Sequence, residues 1–321
     1  MKFAELMHTF GSARAAAESL AINEAHRDVV AREMERAARL GIIYLSDDDP
    51  RYPENMRAIK NHPPILTASG NLSALARPAV AMVGTRHATG AGMKFISELA
   101  EEFVQHGHVV VSGMAMGTDT AAHAGALRAK GDAVTIAVLA GGADYIWPPE
   151  NESLYRQITE RGAVLSEMPV AMAPLASHFI QRNRWIAGIC DKFILGEADL
   201  KSGSMTTARF AIEYKKPVFA IPSHPSDPRA AGPNKLIAEG LATLCCGAKD
   251  FFDGTESKNR VPSAIGKKDE NDILDRLGII PLSESVLAEL AKKSIAEIKR
   301  NLVILELRGK VRKQDGGYVR N

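Results

Sequence analysis

Residues 79–104 read AVAMVGTRHATGAGMKFISELAEEFV, and this stretch decides the fold. Its first five residues are apolar, which is typical of a short buried strand, and a turn containing glycine follows. Phe95, Leu99 and Phe103 then recur every four residues, which predicts an amphipathic helix. The stretch therefore predicts a strand, a glycine-rich loop and a helix that packs against a sheet.

The same strand–turn–helix pattern recurs along the chain. Five more short apolar runs are Val109 to Ser112, Val134 to Leu139, Ala163 to Leu165, Lys192 to Leu195 and Val218 to Ile221. Alternation of strands with helices is typical of a parallel sheet. The sequence thus predicts the α/β class, with an extended Rossmann-like parallel sheet core that we place at residues 69–254.

Smaller parts flank this core on both sides. Residues 1–68 carry apolar positions at helical spacing, which predicts an N-terminal helical domain. Residues 255–271 are polar and aperiodic, which predicts a linker. Residues 272–321 hold three short helical patterns and then two runs around an Asp-Gly turn, which favours a C-terminal winged-helix-like domain. A helical dimerisation or docking module with a structural hairpin is the alternative that this pattern leaves open.

Composition excludes several classes of protein. The chain has 45% hydrophobic and 24% charged residues, and no run approaches the roughly 18 apolar residues of a membrane helix. The amino terminus lacks the layout of a signal peptide, so we expect a cytoplasmic protein without membrane contact. A net charge of +2 excludes a polybasic protein, and three cysteines without CxxC spacing predict neither disulfides nor a metal site.

The loops at the carboxyl ends of the strands are where such a sheet binds ligands. In the first loop, Gly84 lets the backbone approach an anion, Thr85 offers a hydroxyl and Arg86 a guanidinium suited to phosphate. The following GAGMKF has phenylalanine where a dinucleotide fingerprint has its third glycine. The second strand ends in Ser112 and not in the acid that would bind a ribose. This loop therefore predicts an anion pocket but not a nicotinamide site.

Three further segments extend the predicted pocket. One loop places glycines and hydroxyls before a helix, another segment sets arginines among aromatics, and a third has a lysine before a Ser-Gly-Ser turn. Helix amino termini, guanidinium groups and aromatic rings together suit phosphates and unpaired bases. The candidate residues of these segments are Ser112, Gly113, Gly117, Phe179, Arg182, Asn183, Arg184, Lys201, Ser202, Gly203 and Ser204.

Other features of these loops have a structural explanation beside a functional one. His123 has no visible nucleophile or proton donor nearby, so we expect a hydrogen-bonded structural histidine. Tyr145 and Trp147 could stack on a base, although buried aromatics at the rim are the expected role. One of the candidate arginines could instead pair with Glu167 or Glu197. Walker, GxSxG and HExxH motifs are absent, so no catalytic constellation is predicted.

Taken in order, the motifs resemble the DNA processing protein A family, also called DprA or Smf. The resemblance is carried by Val83 to Arg86, Ser112 to Asp119 with Ala122 and His123, Arg182 to Gly188, and Lys201 to Ser204. It covers the chain from about residue 40 to residue 250. Several ordered and widely spaced motifs make it far more specific than a single glycine loop.

This resemblance implies a protein that binds single-stranded DNA, protects incoming strands and loads the RecA recombinase during natural transformation and recombination. It also implies a homodimer, no catalytic turnover and no cofactor. A SAM-like N-terminal helical domain is implied and, as in some members, a C-terminal winged helix. The family's DNA pocket maps onto Arg86, residues 112–117, Phe179, residues 182–184 and residues 201–204.

The residues alone leave two other functions open. One is a nucleotide-processing Rossmann enzyme of the phosphoribohydrolase, lysine-decarboxylase-like type, which has similar glycine loops. That class should show Pro-Gly-Gly-x-Gly-Thr and a paired glutamate, and the loop at residues 139–144 lacks this motif. The other is a duplex-binding regulator that acts through the winged helix, motivated by the basic residues Lys292, Lys293, Lys299, Arg300, Arg312 and Lys313.

Overall fold

A computed structural model describes residues 24–252, 267–278, 281–314 and 316–320. The described residues divide into two compact units. The first lies within residues 1–235 and 244–253, and the second within residues 236–243 and 254–321. The helical patterns predicted before residue 24 and most of the predicted linker lie outside the described residues.

A nine-stranded sheet forms the centre of the first unit, in the order β1-β2-β6-β5-β4-β3-β7-β8-β9. The strands are β1 Ile43–Ser46, β2 Ile65–Gly70, β3 Ala79–Val83, β4 Val109–Ser112, β5 Thr135–Leu139, β6 Ala163–Ser166, β7 Lys192–Leu195, β8 Val218–Ala220 and β9 Thr243–Leu244. The six strands from β3 to β8 pair in parallel, as predicted. The α/β class and the Rossmann-like core are therefore confirmed.

One edge of the sheet begins earlier than predicted. Strand β1 and the first four residues of β2 lie in residues 1–68, the part predicted to be a helical domain; β1 pairs antiparallel with β2, and β2 pairs antiparallel with β6. The hydroxyl of Thr67 on β2 also donates to Ser166 O at 3.1 Å. These strands are short, and prolines crowd the segment between them, so hydrophobic alternation gave no signal for them. The prediction that the sheet starts at residue 69 is thus wrong at this edge.

Helices cover both faces of the sheet in this unit. They are α1 Glu24–Arg39, α2 Glu54–Arg57, α3 Gly90–Gln105, α4 Thr118–Arg128, α5 Glu152–Arg161, α6 Ala176–Ile189, α7 Gly203–Glu213, α8 Ala231–Ala238 and α9 Lys249–Phe252, with 3-10 turns at Leu72–Ala76, Pro149–Asn151 and Pro228–Ala230. Strands β3, β4 and β5 are buried along their whole length because both faces are covered. Leu99 and Phe103 of α3 enter this core, as their spacing predicts.

The strand order reverses at β3. Strands β4 to β6 follow on one side of β3, and β7 and β8 lie on its other side. Loops that leave β3 and β7 at their carboxyl ends therefore diverge to opposite faces of the sheet. Such a switch point is where open α/β sheets bind ligands.

The second unit is a small helical domain closed by a hairpin. It contains α10 Lys267–Arg276, α11 Glu284–Ala291 and α12 Ile295–Leu307, followed by the antiparallel strands β10 Val311–Gln314 and β11 Gly317–Arg320. Ser294 and Glu297 form a reciprocal capping box at the start of α12. Leu287, Ile298 and Leu302 form its buried centre. The three predicted helices and the predicted hairpin are confirmed.

Across the part of the chain that the structure describes, no helix is long and apolar enough to cross a membrane.

Candidate nucleic-acid interface

A cleft of about 340 Å³ opens at the switch point, at the carboxyl edge of the sheet. The loop after β3 forms one wall, and the first turns of α6 and α7 form the others. Its lining is Val83, Gly84, Thr85, Arg86, His87, Ala115, Asp119, Phe179, Ile180, Arg182, Asn183, Ile186, Ser202, Gly203, Ser204 and Thr207. Nine of the fourteen candidate residues thus come together around one space.

Glu197 holds the loop after β3 through three hydrogen bonds. Thr85 N donates to Glu197 O at 2.6 Å, and the buried carboxylate accepts from Thr89 N at 2.7 Å and from its hydroxyl at 2.5 Å. Gly84 packs against the side chain of Thr118, where a Cβ would collide. Gly84 is therefore required for packing of this loop; it also lines the cleft, and the approach of an anion to its backbone stays a prediction.

Arg86 is the exposed cation of the cleft. Its guanidinium carbon lies 5.6 Å from the centroid of the Phe179 ring, a cation–π distance that holds the side chain at the mouth of the cleft. No described residue forms an ion pair with Arg86. The charge of this guanidinium is therefore free to meet a phosphate.

Arg182 also lies near the Phe179 ring, with its guanidinium carbon 5.8 Å from the centroid, and is buried. Its Nη1 donates to Gly113 O and, at 2.7 Å, to Val138 O, so the guanidinium joins the ends of β4 and β5. Burial lowers the pKa of Arg182 to about 10, although Asp119 opposes the shift. Nη1 is thus bound to the protein, while Arg182 still lines the cleft, so its contact with DNA stays a prediction.

Gly113 and Ser112, two further candidates, also belong to this internal support. A Cβ on Gly113 would occupy the position of the Arg182 guanidinium. Ser112 is fully buried, and its hydroxyl donates to Met82 O at 2.7 Å. Neither residue lines the cleft, and their contact with DNA stays a prediction. Gly113 leaves room for the Arg182 guanidinium, and the Ser112 hydrogen bond fixes the start of the loop after β4.

Gly117 supports the cleft from below. Its φ of 76° lies in the left-handed region, and a Cβ would meet the backbone oxygens of Thr85 and Arg86. The absence of a side chain at Gly117 therefore lets the loop that carries Arg86 pack directly against this residue. Gly117 does not line the cleft itself, and its direct contact with DNA stays a prediction.

Two buried titratable groups lie beneath the cleft. Asp119 Oδ2 accepts from Gly113 N at 3.2 Å and from Ala115 N at 3.3 Å, and burial raises the pKa of Asp119 although Arg182 opposes the shift. His123 is fully buried with Nδ1 2.7 Å from Thr135 Oγ1. Burial, helped by the charge of Arg182, lowers the pKa of His123 to about 3. His123 is the structural histidine that the sequence predicts.

The start of α7 forms the polar wall of the cleft. Ser202 caps this helix by accepting from Met205 N at 3.3 Å, and the hydroxyls of Ser202 and Ser204 lie 2.9 Å apart. Asn183 of α6 donates to Gly203 O at 3.3 Å and so joins the two helices. Hydroxyls and the partial positive charge at a helix amino terminus suit an anion beside Arg86.

Arg184 and Lys201 do not line the cleft, and their contact with DNA stays a prediction. Arg184 Nε donates to the Tyr214 hydroxyl at 3.1 Å, and its guanidinium carbon lies 5.0 Å from the Trp185 ring. Two residues along a helix point about 200° apart, so Arg182 and Arg184 cannot face the same space. Lys201 is exposed just outside the cleft.

Glu167 and Glu197 have partners other than the candidate arginines. Glu167 accepts from Gln181 Nε2 at 2.9 Å and from Trp185 Nε1 at 2.6 Å, while Glu197 binds Thr89. The predicted alternative of an arginine paired with either glutamate is therefore wrong. No group of His, Cys, Asp or Glu side chains in the described residues could hold a metal ion.

Comparison with known proteins now identifies the family. The profile of DNA recombination-mediator protein A matches residues 43–256, and the profile of the DprA winged helix domain matches residues 258–317. The chain belongs to the DNA processing protein A family. The resemblance and the predicted winged-helix domain are thereby confirmed.

Relatives of this DprA protein share both sequence and structure with it. Protein Smf of Synechocystis is 36% identical over 243 residues, and the match covers 74% of this chain but only 55% of that relative. The X-ray structure of DprA from Streptococcus pneumoniae is 36% identical, with a TM-score of 0.67 over 75% of this chain and 81% of the other. DprA from Helicobacter pylori, described for its single-stranded DNA binding mode, is 32% identical, with a TM-score of 0.60 over 66% of this chain and 94% of the other.

Several residues of this DprA cleft escaped prediction. Ile180 and Ile186 of α6 line it with Asn183, at the spacing of one helix face, so this periodicity was the available signal. Trp147 is 47% exposed and Tyr145 is 36% exposed, so the prediction of buried rim aromatics is wrong. Burial of a loop aromatic depends on neighbouring loops, which periodicity does not reveal.

Proposed function

We propose that this DprA protein binds single-stranded DNA in the cleft and acts as a recombination mediator without catalytic turnover. One observation carries the proposal: an exposed guanidinium, Arg86, is held over the Phe179 ring beside the capped start of α7. A cation, an aromatic face and a helix amino terminus together bind what a single strand offers, namely phosphates and unpaired bases.

The geometry favours a strand without sequence preference. Arg86 meets one phosphate, the hydroxyls of Ser202 and Ser204 with the α7 amides meet a neighbouring one, and Phe179 offers its exposed surface to a base. Stacking accepts every base because each has a π face. In a duplex the bases are paired and stacked inside the helix, so Phe179 could not reach one.

The chemistry of the cleft supports binding in place of catalysis. The Asp119 carboxylate accepts two backbone N–H groups, and His123 lies sealed beneath the cleft with Thr135 as its partner. A general base needs access to the proton that it removes. The hydroxyls of Ser202 and Ser204 lie against each other and act as anion ligands in this proposal.

Membership of the family supports the wider role. We infer that the protein protects incoming strands and loads RecA on them during natural transformation and recombination, as a homodimer in the cytoplasm. We also infer that the predicted division at residues 1–68, 69–254, 255–271 and 272–321 describes units of function, although β1 and β2 join the sheet. We assign the binding of duplex DNA or of a protein partner to the winged-helix domain.

Fluorescence anisotropy of labelled oligonucleotides tests the binding function. Wild-type protein should bind a single strand more tightly than a duplex, and Arg86→Ala should weaken the single-strand complex about tenfold. Arg156→Ala is the matched control, since Arg156 is an exposed arginine that pairs with Glu152 on α5. Equal affinity of wild type and Arg86→Ala for the single strand would show that the cleft does not bind DNA.

Incubation with nucleoside monophosphates tests the absence of turnover. The phosphoribohydrolase alternative requires release of free base, which chromatography detects directly. We expect no release above that of a protein-free control. Release at an enzymatic rate that Arg86→Ala abolishes would assign the cleft to that enzyme class instead.

A further inference from the structure

An exposed apolar surface runs along the carboxyl edge of the sheet beyond the cleft. Its members, which we call the apolar rim, come from the loops after β5 and β6 and from the start of α6. They are Tyr145, Trp147, Met172, Leu175 and Ile180, with exposures of 36%, 47%, 39%, 61% and 58%. Large apolar side chains this exposed on adjoining loops indicate a binding surface.

The two loops of the apolar rim are packed against each other. Gly142 N donates to Met172 O at 2.8 Å, and Ala171 N donates to Asp144 Oδ1 at 2.7 Å. A Cβ on Gly141 would lie 3.1 Å from Pro174 Cδ and 3.2 Å from Tyr145 Cβ, so both residues converge on this point. The rim is therefore one continuous surface and not a set of separate side chains.

The apolar rim continues directly into the cleft. Leu175 is the N-cap residue of α6, and Phe179 lies in the first turns of the same helix. Ile180 belongs to the rim and to the cleft lining. A ligand that leaves the cleft past Phe179 therefore meets Leu175 first and the aromatic loops next.

The charge around the apolar rim suits an anionic strand. Asp144 is paired with the cation of Arg36 at 3.0 Å, and the Glu167 carboxylate is turned toward the protein, where it accepts from Gln181 and Trp185. Arg86 lies free at the cleft end of the surface. A strand can thus run along the rim with its phosphates outward and its bases on the apolar side chains.

We propose that the apolar rim binds unpaired bases of the same DNA strand that the cleft holds, which extends the footprint beyond the cleft toward Trp147. This inference rests on the proposed function. The occupant is DNA because the surface is continuous with the Arg86 cleft and offers aromatic and thioether faces along a line.

Strand length separates the rim from the cleft experimentally. An oligothymidylate of about four nucleotides should fill the cleft alone, whereas one of about 20 nucleotides should also reach the rim. Trp147→Ala and Leu175→Ala should weaken binding of the long strand about fivefold or more and leave the short strand unchanged. Leu244→Ala, an equally exposed apolar residue on β9, should change neither.

Two measurements on the wild-type protein confirm the contact without relying on a variant. Abasic nucleotides in the part of the long strand outside the cleft should weaken binding as much as Trp147→Ala does. Trp147 is exposed and Trp185, the other tryptophan, is 1% exposed, so acrylamide quenching reports on Trp147. The long strand should reduce this quenching, and the short strand should not.

Each outcome decides the proposal. The rim proposal is overturned, and the cleft is unaffected, if the long strand does not change acrylamide quenching of the wild-type protein and Trp147→Ala binds the long strand as tightly as wild type. A Trp147→Ala variant that changes the molecular mass in light scattering but binds the long strand normally would overturn it in favour of an interface between copies. Arg86→Ala should weaken both strands; if it weakens neither, the proposed function itself fails.

Discussion

Replacement of Arg182 by methionine should destabilise the fold, whereas the same replacement at Arg86 should act on DNA binding. Both guanidinium groups lie within 6 Å of the Phe179 ring centroid, but Arg182 is 6% exposed and hydrogen-bonded to two carbonyls while Arg86 is exposed. Methionine fills a similar volume in each place without the charge. The pair of variants therefore compares a structural guanidinium with one that is free to bind.

The size of the effect follows from the groups that Arg182 would leave behind. Without the Arg182 guanidinium, Gly113 O and Val138 O lose their hydrogen-bond donor, and each buried unpaired carbonyl costs about 1–3 kcal/mol. Relief of the desolvation of a buried cation offsets part of that cost, so we expect a net loss of about 2–4 kcal/mol. In a unit of this size the melting temperature should fall by about 4–16 °C.

Chemical denaturation and calorimetry measure this difference. Arg86→Met should stay within about 0.5 kcal/mol of wild type because surface substitutions cost little. The reasoning is refuted if Arg182→Met melts with wild type and loses as much DNA affinity as Arg86→Met. In that case the guanidinium would be a DNA ligand and not a structural tie.

Three further variants probe the support beneath the cleft. Glu197→Ala leaves Thr89 N and the hydroxyl proton of Thr89 without an acceptor, so the Arg86 loop should loosen and single-strand affinity should fall about tenfold by anisotropy; wild-type affinity would show that these hydrogen bonds are dispensable. Burial lowers the pKa of His123 to about 3 in the folded protein, whereas in the unfolded chain the imidazole binds a proton below about pH 6.5. Protonation of His123 in the unfolded state should therefore lower the free energy of unfolding by about 1.4 kcal/mol for each pH unit below pH 6.5. His123→Gln should lack this part of the slope, and equal slopes in urea titrations would contradict the burial argument. Gly117→Ala should destabilise the protein by more than about 1 kcal/mol, because φ is 76° and the new Cβ meets the Arg86 backbone; an unchanged melting temperature would argue against this contact.

Much of the fold could be predicted because its physical signals are local. Buried parallel strands appear as short apolar runs, and the helix after β3 shows its core face through Leu99 and Phe103. Strands β1 and β2 gave no such signal, since β1 pairs with β2, and the antiparallel pairing of β2 with β6 depends on residues about one hundred positions away. Periodicity predicts an element but not the strand to which it pairs.

The candidate site was predicted at the level of loops and not of side chains. Residue type alone could not separate Arg86 from Arg182, since both have the charge that a phosphate needs. Burial separates them, and burial depends on the packing of α6 over β4 and β5. The position of Arg184 follows from helical geometry, which was available in the sequence and would have placed it opposite Arg182.

The salt dependence of single-strand binding tests the central claim most directly. The logarithm of the binding constant should fall linearly with the logarithm of the salt concentration, by about 0.7 for each phosphate contacted. Arg86→Ala should reduce the slope by about 0.7, because one phosphate contact is lost, and Arg156→Ala should leave it unchanged. A wild-type slope in Arg86→Ala would contradict the assignment of this cleft to DNA.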